Sequence, residues 1–205
     1  MLFTIGLLIA TLSTSSNATL INGSFELQSN TNSQQAAGST AITGWVTTLD
    51  GVEYFKPSDF GGQAAEGLWL IDLAFVSSSA SGGIRQSFTT TPGQISRLQF
   101  SLGTQAGFGR TGTAKIVLMV DGADVQTYDL KNLTTNFIYE DFIFDFIPTA
   151  ASTTIEFQNR QNANQHFAYL DNVVFQEIPE PGAGAIIVTG LLAWSVRRPV
   201  KTRQF

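Results

Sequence analysis

Short apolar runs separated by Gly, Asn, Ser and Asp fill the middle of the chain, from residue 19 to residue 176. No apolar period of 3.6 residues extends over the length of a helix there, so the pattern predicts strands throughout. The predicted strands cover residues 68–73, 84–88, 96–102, 114–120, 125–130, 138–146, 154–158 and 167–175. This number of short strands favours an all-β sandwich.

The clearest local feature is a hairpin at Asp121-Gly122. Two β-rich runs, 114–120 and 125–130, flank this dipeptide. Asp-Gly readily adopts the positive φ angles of a tight primed turn, so we expect two antiparallel strands joined there.

A second pattern concerns the strand predicted at 138–146. Phe142, Phe144 and Phe146 alternate with Ile143 and Asp145, which places three rings on one face. We expect this face to belong to the core rather than to a ligand platform.

The N-terminus carries an uncharged apolar run at residues 2–12, followed by small residues up to Ser16 and Ala18. This pattern predicts a signal peptide at 1–18, cleaved after Ala18, although no Lys or Arg precedes the run. The alternative is a buried N-terminal strand or helix, because the run is too short for a membrane span of about 20 residues.

The other end contains Pro179-Glu180-Pro181, an uncharged apolar segment at 182–196, and a basic tail at 197–205 that begins with Arg197 and Arg198. The segment predicts a short helix of about 22 Å that can insert into a membrane, with the arginines on the cytoplasmic side. This order of parts resembles the PEP-CTERM sorting signal of exopolysaccharide-producing Gram-negative bacteria. The resemblance implies recognition by an exosortase-type enzyme, transient membrane anchoring and removal of the tail.

Composition and charge exclude some classes of binding partner and some kinds of site. Only 13% of residues are charged, and the formal net charge is −5 although four of the eleven basic residues lie in the last nine positions. The part between the ends is therefore acidic and has no basic stripe, which excludes nucleic acid as a partner. Cysteine is absent, so disulfides, thiolate metal sites and a cysteine nucleophile are excluded too.

Six fragments, in this order along the chain, resemble the choice-of-anchor C family and related galactose-binding-like domains. They lie at residues 20–26, 42–45, 52–54, 70–73, 83–93 and 169–173. The resemblance implies a jelly-roll sandwich over residues 19–178. Many of these relatives bind polysaccharides, so it also implies exopolysaccharide as a partner.

The same resemblance implies a structural Ca²⁺, and no other cofactor, where the first strand meets the last. The matching residues are Asn22, Gly23, Glu26, Asp171 and Asn172. A hard cation prefers several oxygen ligands, and it would offset the repulsion between two carboxylates brought together from distant strands. The alternative, that Glu26 and Asp171 accept backbone hydrogen bonds or face solvent, stays open.

Sugar binding requires an exposed aromatic face with polar groups beside it. The candidates are Trp45, Tyr54, Phe60, Trp69 and Phe108. Trp45 and Trp69 equally fit core positions, whereas Phe60 and Phe108 have loop settings.

No pattern points to catalysis. The only histidine, His166, is expected to make a hydrogen bond at a loop end, and no Gly-x-Ser-x-Gly elbow accompanies it. Residues 107–112 match G-x-G-x-x-G, but a predicted strand follows them, so no helix N-terminus is available for a pyrophosphate. No pair of carboxylates is singled out.

These patterns together indicate a non-enzymatic, exported protein of the envelope or extracellular matrix with a polysaccharide-binding jelly roll. One alternative is a structural matrix or adhesion protein without a sugar site. A second is a glycan-active hydrolase, which would need two carboxylates facing across one cleft.

The predicted ends can be tested by intact-mass analysis of protein recovered from the envelope and medium of the source cells. We expect a chain that starts at residue 19 and lacks the basic tail, because both flanking segments carry processing patterns. A chain that still contains Met1 and Phe205 would contradict both cleavages.

Overall fold

A computed structural model describes residues 19–27, 32–74, 81–162 and 164–179. The predicted signal peptide, and the sorting segment beyond Pro179, lie outside the described residues. Within those ranges, no helix has the length and apolar character needed to cross a membrane. The strands are β1 (Ser33–Ala36), β2 (Val46–Leu49), β3 (Gly51–Phe55), β4 (Leu70–Asp72), β5 (Gly82–Thr89), β6 (Ser96–Thr104), β7 (Ala106–Gly107), β8 (Arg110–Thr111), β9 (Thr113–Val120), β10 (Ala123–Lys131), β11 (Ile138–Phe146), β12 (Ser152–Asn159) and β13 (Tyr169–Glu177).

Two antiparallel sheets form a sandwich. The large sheet has the order β1-β3-β4-β13-β6-β11, and the second sheet has the order β10-β9-β12-β5-β2. Strands β7 and β8 form a separate small hairpin, and a 3₁₀ helix, Pro57–Phe60, precedes β4. The expected all-β sandwich is confirmed.

The core lies between the facing sides of the two sheets. Leu98, Phe100 and Leu102 of β6 alternate inward and meet Ile155 and Phe157 of β12 in one cluster of buried side chains. Strand residues one apart point to opposite faces, so this alternation buries one side of each sheet.

The aromatic stripe of β11 also packs inward. Phe142, Phe144 and Phe146 contact the same core, and the rings of Phe100 and Phe142 stack at 5.8 Å. The expectation that this face belongs to the core is confirmed.

The predicted hairpin is also confirmed. Asp121 and Gly122 have φ angles of 50° and 83°, and Val120 pairs with Ala123 across the turn. The Asp121 carboxylate accepts a 2.8 Å hydrogen bond from the backbone N–H of Thr154. The turn is therefore tied to the neighbouring strand β12.

Strands β1 and β2 were not predicted, and β3 corresponds only to the fragment 52–54 noted above. β1 has the sequence Ser-Gln-Gln-Ala and no apolar alternation, because it is an edge strand with no fully buried side chain. β2 has only four residues, two of them Thr, and it is the edge of the second sheet.

The first described segment closes the fold against β13. The carbonyl of Gly23 accepts a 2.9 Å hydrogen bond from the N–H of Val173, and an added Cβ on Gly23 would overlap the Val173 carbonyl oxygen. Only glycine therefore permits this close approach of two backbones.

We expect Gly23→Ala to lower the free energy of unfolding by about 1–3 kcal/mol, because the new methyl group would separate the two segments. Chemical denaturation of the full chain provides the measurement. Ser24→Ala, one residue further on, is the control and is expected to change stability by less than about 0.5 kcal/mol. Equal stability of the two variants would show that the approach of Gly23 to Val173 is not required.

Candidate functional site

The outer face of the large sheet is also apolar at one end. Tyr54 and Ile71 point into the core, so their neighbours Phe55 and Leu70 point outward. There they form a second buried cluster with Tyr169, on the side of the sheet away from the main core.

Loops at this end build a pocket of about 200 Å³ over that cluster. The side chains that line it are Glu53, Phe55, Phe60, Asp72, Gln105, Phe108, Arg110, Phe137, Phe167 and Tyr169. Phe60 comes from the 3₁₀ helix and Phe108 from the turn between β7 and β8. Their side chains are 53% and 75% exposed, which is unusual for phenylalanine.

The six aromatic rings of the pocket form a continuous series of contacts. Successive ring centroids are 5.5, 6.4, 5.0, 5.3 and 6.4 Å apart in the order Phe60, Phe55, Phe137, Tyr169, Phe167, Phe108. These separations are typical of aromatic contacts, so the pocket has an almost unbroken apolar wall.

The glycine-rich segment 107–112 has a local role at this wall. Gly107, Phe108 and Gly109 have φ angles of 118°, 51° and 80°, which form the turn that presents the Phe108 ring. β9 follows at Thr113, so the expectation that no helix follows the G-x-G-x-x-G match is confirmed.

His166 holds this hairpin in place. Its Nδ1 lies 2.7 Å from the Thr113 hydroxyl and 3.1 Å from the Thr111 hydroxyl, and the N–H of Thr111 donates to the carbonyl of Gln165. The expected loop-end hydrogen bond is confirmed, and it fixes the hairpin that carries Phe108.

The polar side of the pocket is dominated by Asp72, which is fully buried. Its Oδ1 accepts hydrogen bonds from the N–H groups of Ala74 at 2.9 Å and Ala168 at 3.1 Å. Its Oδ2 has no hydrogen-bond partner among the described residues. One buried acceptor at the pocket is therefore unsatisfied, which is rare and costs about 1–3 kcal/mol.

Two charged side chains accompany Asp72. Glu53 is its direct cross-strand partner, and the guanidinium of Arg110 lies 4.0 Å from the centre of the Phe167 ring. Burial raises the pKa of Asp72 to about 7, and the charge of Glu53 adds to this while Arg110 opposes it. Burial also raises the pKa of Glu53, again opposed by Arg110.

The pocket can therefore hold a small ligand with two kinds of surface. Aromatic rings bind apolar C–H faces, and the carboxyl oxygens accept hydrogen bonds from ligand donors. The cavity is smaller than the roughly 300–1,000 Å³ of pockets for drug-sized ligands, so its size suits a single ring.

Three of the five predicted ligand contacts lie in the core instead. Trp45 and Tyr54 are 1% exposed and Trp69 is 6% exposed. The indole N–H of Trp45 donates to the Asn22 carbonyl at 3.0 Å, and the Tyr54 hydroxyl donates to the Phe25 carbonyl at 3.2 Å. Trp45 and Tyr54 thus bind the first described segment of the domain. Of the five predicted ligand contacts, Phe60 and Phe108 are the ones that reach a pocket.

Sequence reasoning missed the rest of the pocket. Glu53, Phe55 and Asp72 lie beside Tyr54 and Ile71, which point into the core, and only the sheet register shows that they point to the opposite face. The available signal was the presence of large apolar residues at successive positions, as in Tyr54-Phe55 and Leu70-Ile71. Such runs indicate a strand that is buried on both faces.

The five predicted calcium ligands lie elsewhere, around the loop at 65–69. Oε1 of Glu26 accepts hydrogen bonds from the N–H groups of Leu68 and Trp69, both at 2.8 Å. Asp171 accepts from the N–H groups of Glu66 at 2.9 Å and Asn172 at 2.7 Å. Both carboxylates thus accept hydrogen bonds from backbone donors.

Two of the other three predicted calcium ligands, Asn22 and Gly23, are engaged similarly, and Asn172 lines the neighbouring groove. Oδ1 of Asn22 accepts a 3.0 Å hydrogen bond from the N–H of Leu27, and the carbonyl of Gly23 accepts from Val173. In the part of the chain that the structure describes, no three His, Cys, Asp or Glu side chains come together as a metal-ion site. These contacts require no cation, and calcium stays a prediction.

A larger groove of about 950 Å³ lies next to this loop, along β13. It is lined by Gly23, Glu66 and Asn172, and it is bordered by Thr19 and Pro179, the first and last described residues. Among the described residues that line it, there is no exposed aromatic ring and no unsatisfied buried group, so the smaller pocket is the better candidate site.

The fold and the pocket define a jelly-roll β-sandwich with a loop-framed aromatic site at one end of its large sheet. The chain belongs to the DUF642 family, described as a protein of unknown function, whose match covers residues 18–176. No curated protein sequence matches the chain. Neither the PEP-CTERM sorting signal nor the choice-of-anchor C family is among these findings. Both resemblances stay predictions.

Solved structures share the fold at low sequence identity. A cyclase from Fischerella sp. TAU in complex with 4-(1H-indol-3-yl)butan-2-one has a TM-score of 0.57 at 18% identity, covering 81% of this chain and 99% of the cyclase. The carbohydrate-binding module TmCBM61 in complex with β-1,4-galactotriose has a TM-score of 0.51 at 18% identity, covering 78% and 97%. Arabinose-bound MgGH51 α-L-arabinofuranosidase reaches 0.51 at 12% identity over 78% of this chain and 26% of its own. Identities this low show the fold alone.

The raised pKa of Asp72 predicts a pH-dependent stability. Its folded pKa of about 7 lies above the ordinary 3.8, so the folded state binds the proton more tightly than the unfolded state. The stability that the folded state gains from this tighter proton binding is fully present below about pH 4 and is lost as the pH rises through about 7. Asp72→Asn removes the titration, so we expect its stability relative to the unmodified protein to increase by a few kcal/mol between pH 4 and pH 8.

Melting temperatures and denaturation curves across this pH range provide the measurement. Asp129→Asn is the control, because Asp129 is exposed and makes only a 3.4 Å surface ion pair with Lys115. We expect it to change the free energy of unfolding by less than about 0.5 kcal/mol at each pH. If the difference in stability between Asp72→Asn and the unmodified protein does not change with pH, the raised pKa of Asp72 is contradicted.

Proposed function

We propose that this protein is an exported, non-catalytic polysaccharide-binding protein whose sugar site is the pocket between Phe60 and Phe108. The observation that carries the proposal is the combination of exposed aromatic rings with the unsatisfied Oδ2 of Asp72. A sugar ring offers the complement of both features, since its C–H faces stack on aromatic rings and its hydroxyl groups donate hydrogen bonds.

Asp72 gives the binding of a sugar ring in this pocket an energetic basis. A buried acceptor without a partner carries a desolvation cost of about 1–3 kcal/mol. Oδ2 of Asp72 lies beneath the pocket lining, so a ligand hydroxyl would offset this cost after a small shift of the lining. Glu53, beside it on β3, provides a second acceptor. The hydrogen bonds would act where aromatic rings exclude water, so each has more effect than on an open surface.

The similar structures support the same proposal at the level of fold. TmCBM61 shares the sandwich and is in complex with β-1,4-galactotriose. Fold does not determine function by itself, so the weight rests on the pocket residues.

Export and sorting belong to the proposal through the two ends. The pattern at 1–18 supports secretion. The motif Pro179-Glu180-Pro181, the apolar segment and the arginines support an exosortase-type enzyme as partner. The protein would then be delivered to the envelope or the extracellular matrix, after transient membrane anchoring through the apolar segment.

The pair of Glu53 and Asp72 favours a glycan hydrolase as the second candidate, because both carboxyl groups have raised pKa values in one pocket. These residues are cross-strand partners, however, and extend side by side from the same sheet. Hydrolysis of the usual kind requires carboxyl groups on opposite sides of the scissile bond. Their arrangement therefore suits binding better, and the pocket also argues against a purely structural role.

The proposal predicts saturable binding of the full-length protein to at least one member of a panel of exopolysaccharides and neutral oligosaccharides. Phe108→Ala and Phe60→Ala are each expected to weaken binding about tenfold, because each removes a ring from the wall of the pocket. Isothermal titration calorimetry gives the affinities, and incubation with the same glycans is expected to release no shorter products.

Ile147→Ala is the matched control, since Ile147 is 59% exposed and lies beyond the far end of β11 from the pocket. We expect it to bind like the unmodified protein. Repeating the titrations with Ca²⁺ and with a chelator tests the calcium prediction separately. A folded protein that binds no glycan would refute the proposed function, and product release would favour the hydrolase.

A further inference from the structure

We propose that the pocket accepts one uncharged sugar residue at the end of a chain and rejects sugars that carry a carboxylate. This inference rests on the proposed function and deepens it, because it names the class of sugar and the part of the chain that is recognised. It depends on the shape of the pocket and on the balance of its charged groups.

The shape indicates a chain end. The cavity holds about 200 Å³, and its aromatic walls come from four separate segments that carry Phe60, Phe108, Phe137 and Phe167. Internal recognition of a polysaccharide requires a groove through which the chain enters and leaves. A cavity of this size, bordered by four segments, holds one ring, which a chain end can supply.

The loops that enclose the cavity are held in place by hydrogen bonds. The Tyr139 hydroxyl donates to the carbonyl of Gln63 at 2.8 Å, in the loop that follows Phe60. Asn132 accepts from the N–H of Thr134 at 2.9 Å and donates to the carbonyl of Asn136 at 2.6 Å, in the loop that precedes Phe137. The walls are thus preformed, and opening them for an internal segment would break these bonds.

The polar groups indicate what the ring must offer. The acceptor oxygens at the pocket are those of Glu53 and, beneath the lining, the buried Oδ2 of Asp72, so the ligand has to supply donors. A hydroxyl group of one ring can donate to the partly buried Glu53, and Glu53 and Asp72 lie side by side on neighbouring strands. A sugar carboxylate would instead place a third acidic group beside them.

Charged groups of both signs line the pocket. Burial raises the pKa of both Glu53 and Asp72, and the positive charge of Arg110 opposes this rise, so Arg110 acts on the two carboxyl groups rather than on the opening alone. One cation, Arg110, therefore faces two acids, Glu53 and Asp72. Glu53 would repel a ligand that carries an anion, and Arg110 would repel a ligand that carries a cation. An uncharged ring has neither penalty.

The test titrates the full-length protein with matched monosaccharides: glucose, galactose and mannose, the corresponding uronic acids, and glucosamine. At least one neutral sugar is expected to bind with an affinity within about threefold of its linear hexasaccharide. Its uronic acid and its cationic amine are expected to bind at least about tenfold more weakly. A cyclic glucan, which has no chain end, is expected not to bind.

Glu53→Gln provides the decisive variant. It removes one negative charge while keeping a hydrogen-bond acceptor, so we expect the preference for the neutral sugar over its uronic acid to fall about tenfold or more. Asp129→Asn removes an exposed acid of the second sheet and is expected to leave the preference unchanged. Melting curves of both variants establish that they are folded.

The outcomes separate this inference from the function on which it rests. Equal or tighter binding of a uronic acid or of glucosamine would overturn the charge argument, and binding of the cyclic glucan as tight as the linear one would overturn recognition of a chain end. In these cases the protein still binds glycans. Absence of binding to every sugar and polysaccharide by a folded protein would overturn the proposed function itself.

Discussion

The large sheet is apolar on both faces, and this constraint determines the rest of the architecture. One face meets the second sheet, but the other carries Phe55, Leu70 and Tyr169, and no sheet in the described part of the chain covers it. Apolar surface of this size must be removed from water, so loops have to cover it. The 3₁₀ helix, the β7–β8 hairpin and the segments before β11 and β13 provide that cover, and the space left between them is the pocket.

Asp72 shows that this cover serves more than packing. A carboxyl group beneath an aromatic cluster loses hydration, and its two backbone hydrogen bonds satisfy only Oδ1. A hydrophobic residue of similar size would avoid this cost if the position were purely structural. A perturbed acid at an aromatic pocket is instead typical of a binding or catalytic site.

Local patterns in the sequence predict part of this structure and miss the part that depends on sheet register. The Asp121-Gly122 turn and the strand at 138–146 follow from adjacent residues, and both are confirmed. The pocket combines residues from β3, β4, β8 and β13, and the face on which each lies depends on pairing across the sheet. Aromatic type alone therefore could not separate Trp45, which is in the core, from Phe108, which is in the pocket.

The predicted calcium residues bear on the same site through the loop that they hold. Glu26 and Asp171 fix the backbone at 65–69, and Tyr139 fixes the carbonyl of Gln63 in the same connection between the 3₁₀ helix and β4. This connection carries Phe60 at one end and leads into Asp72 at the other. Ordering it before the ligand arrives reduces the entropy lost on binding. A small pocket gains only a few contacts from one ring, so a preformed wall is what makes recognition of a single sugar physically reasonable.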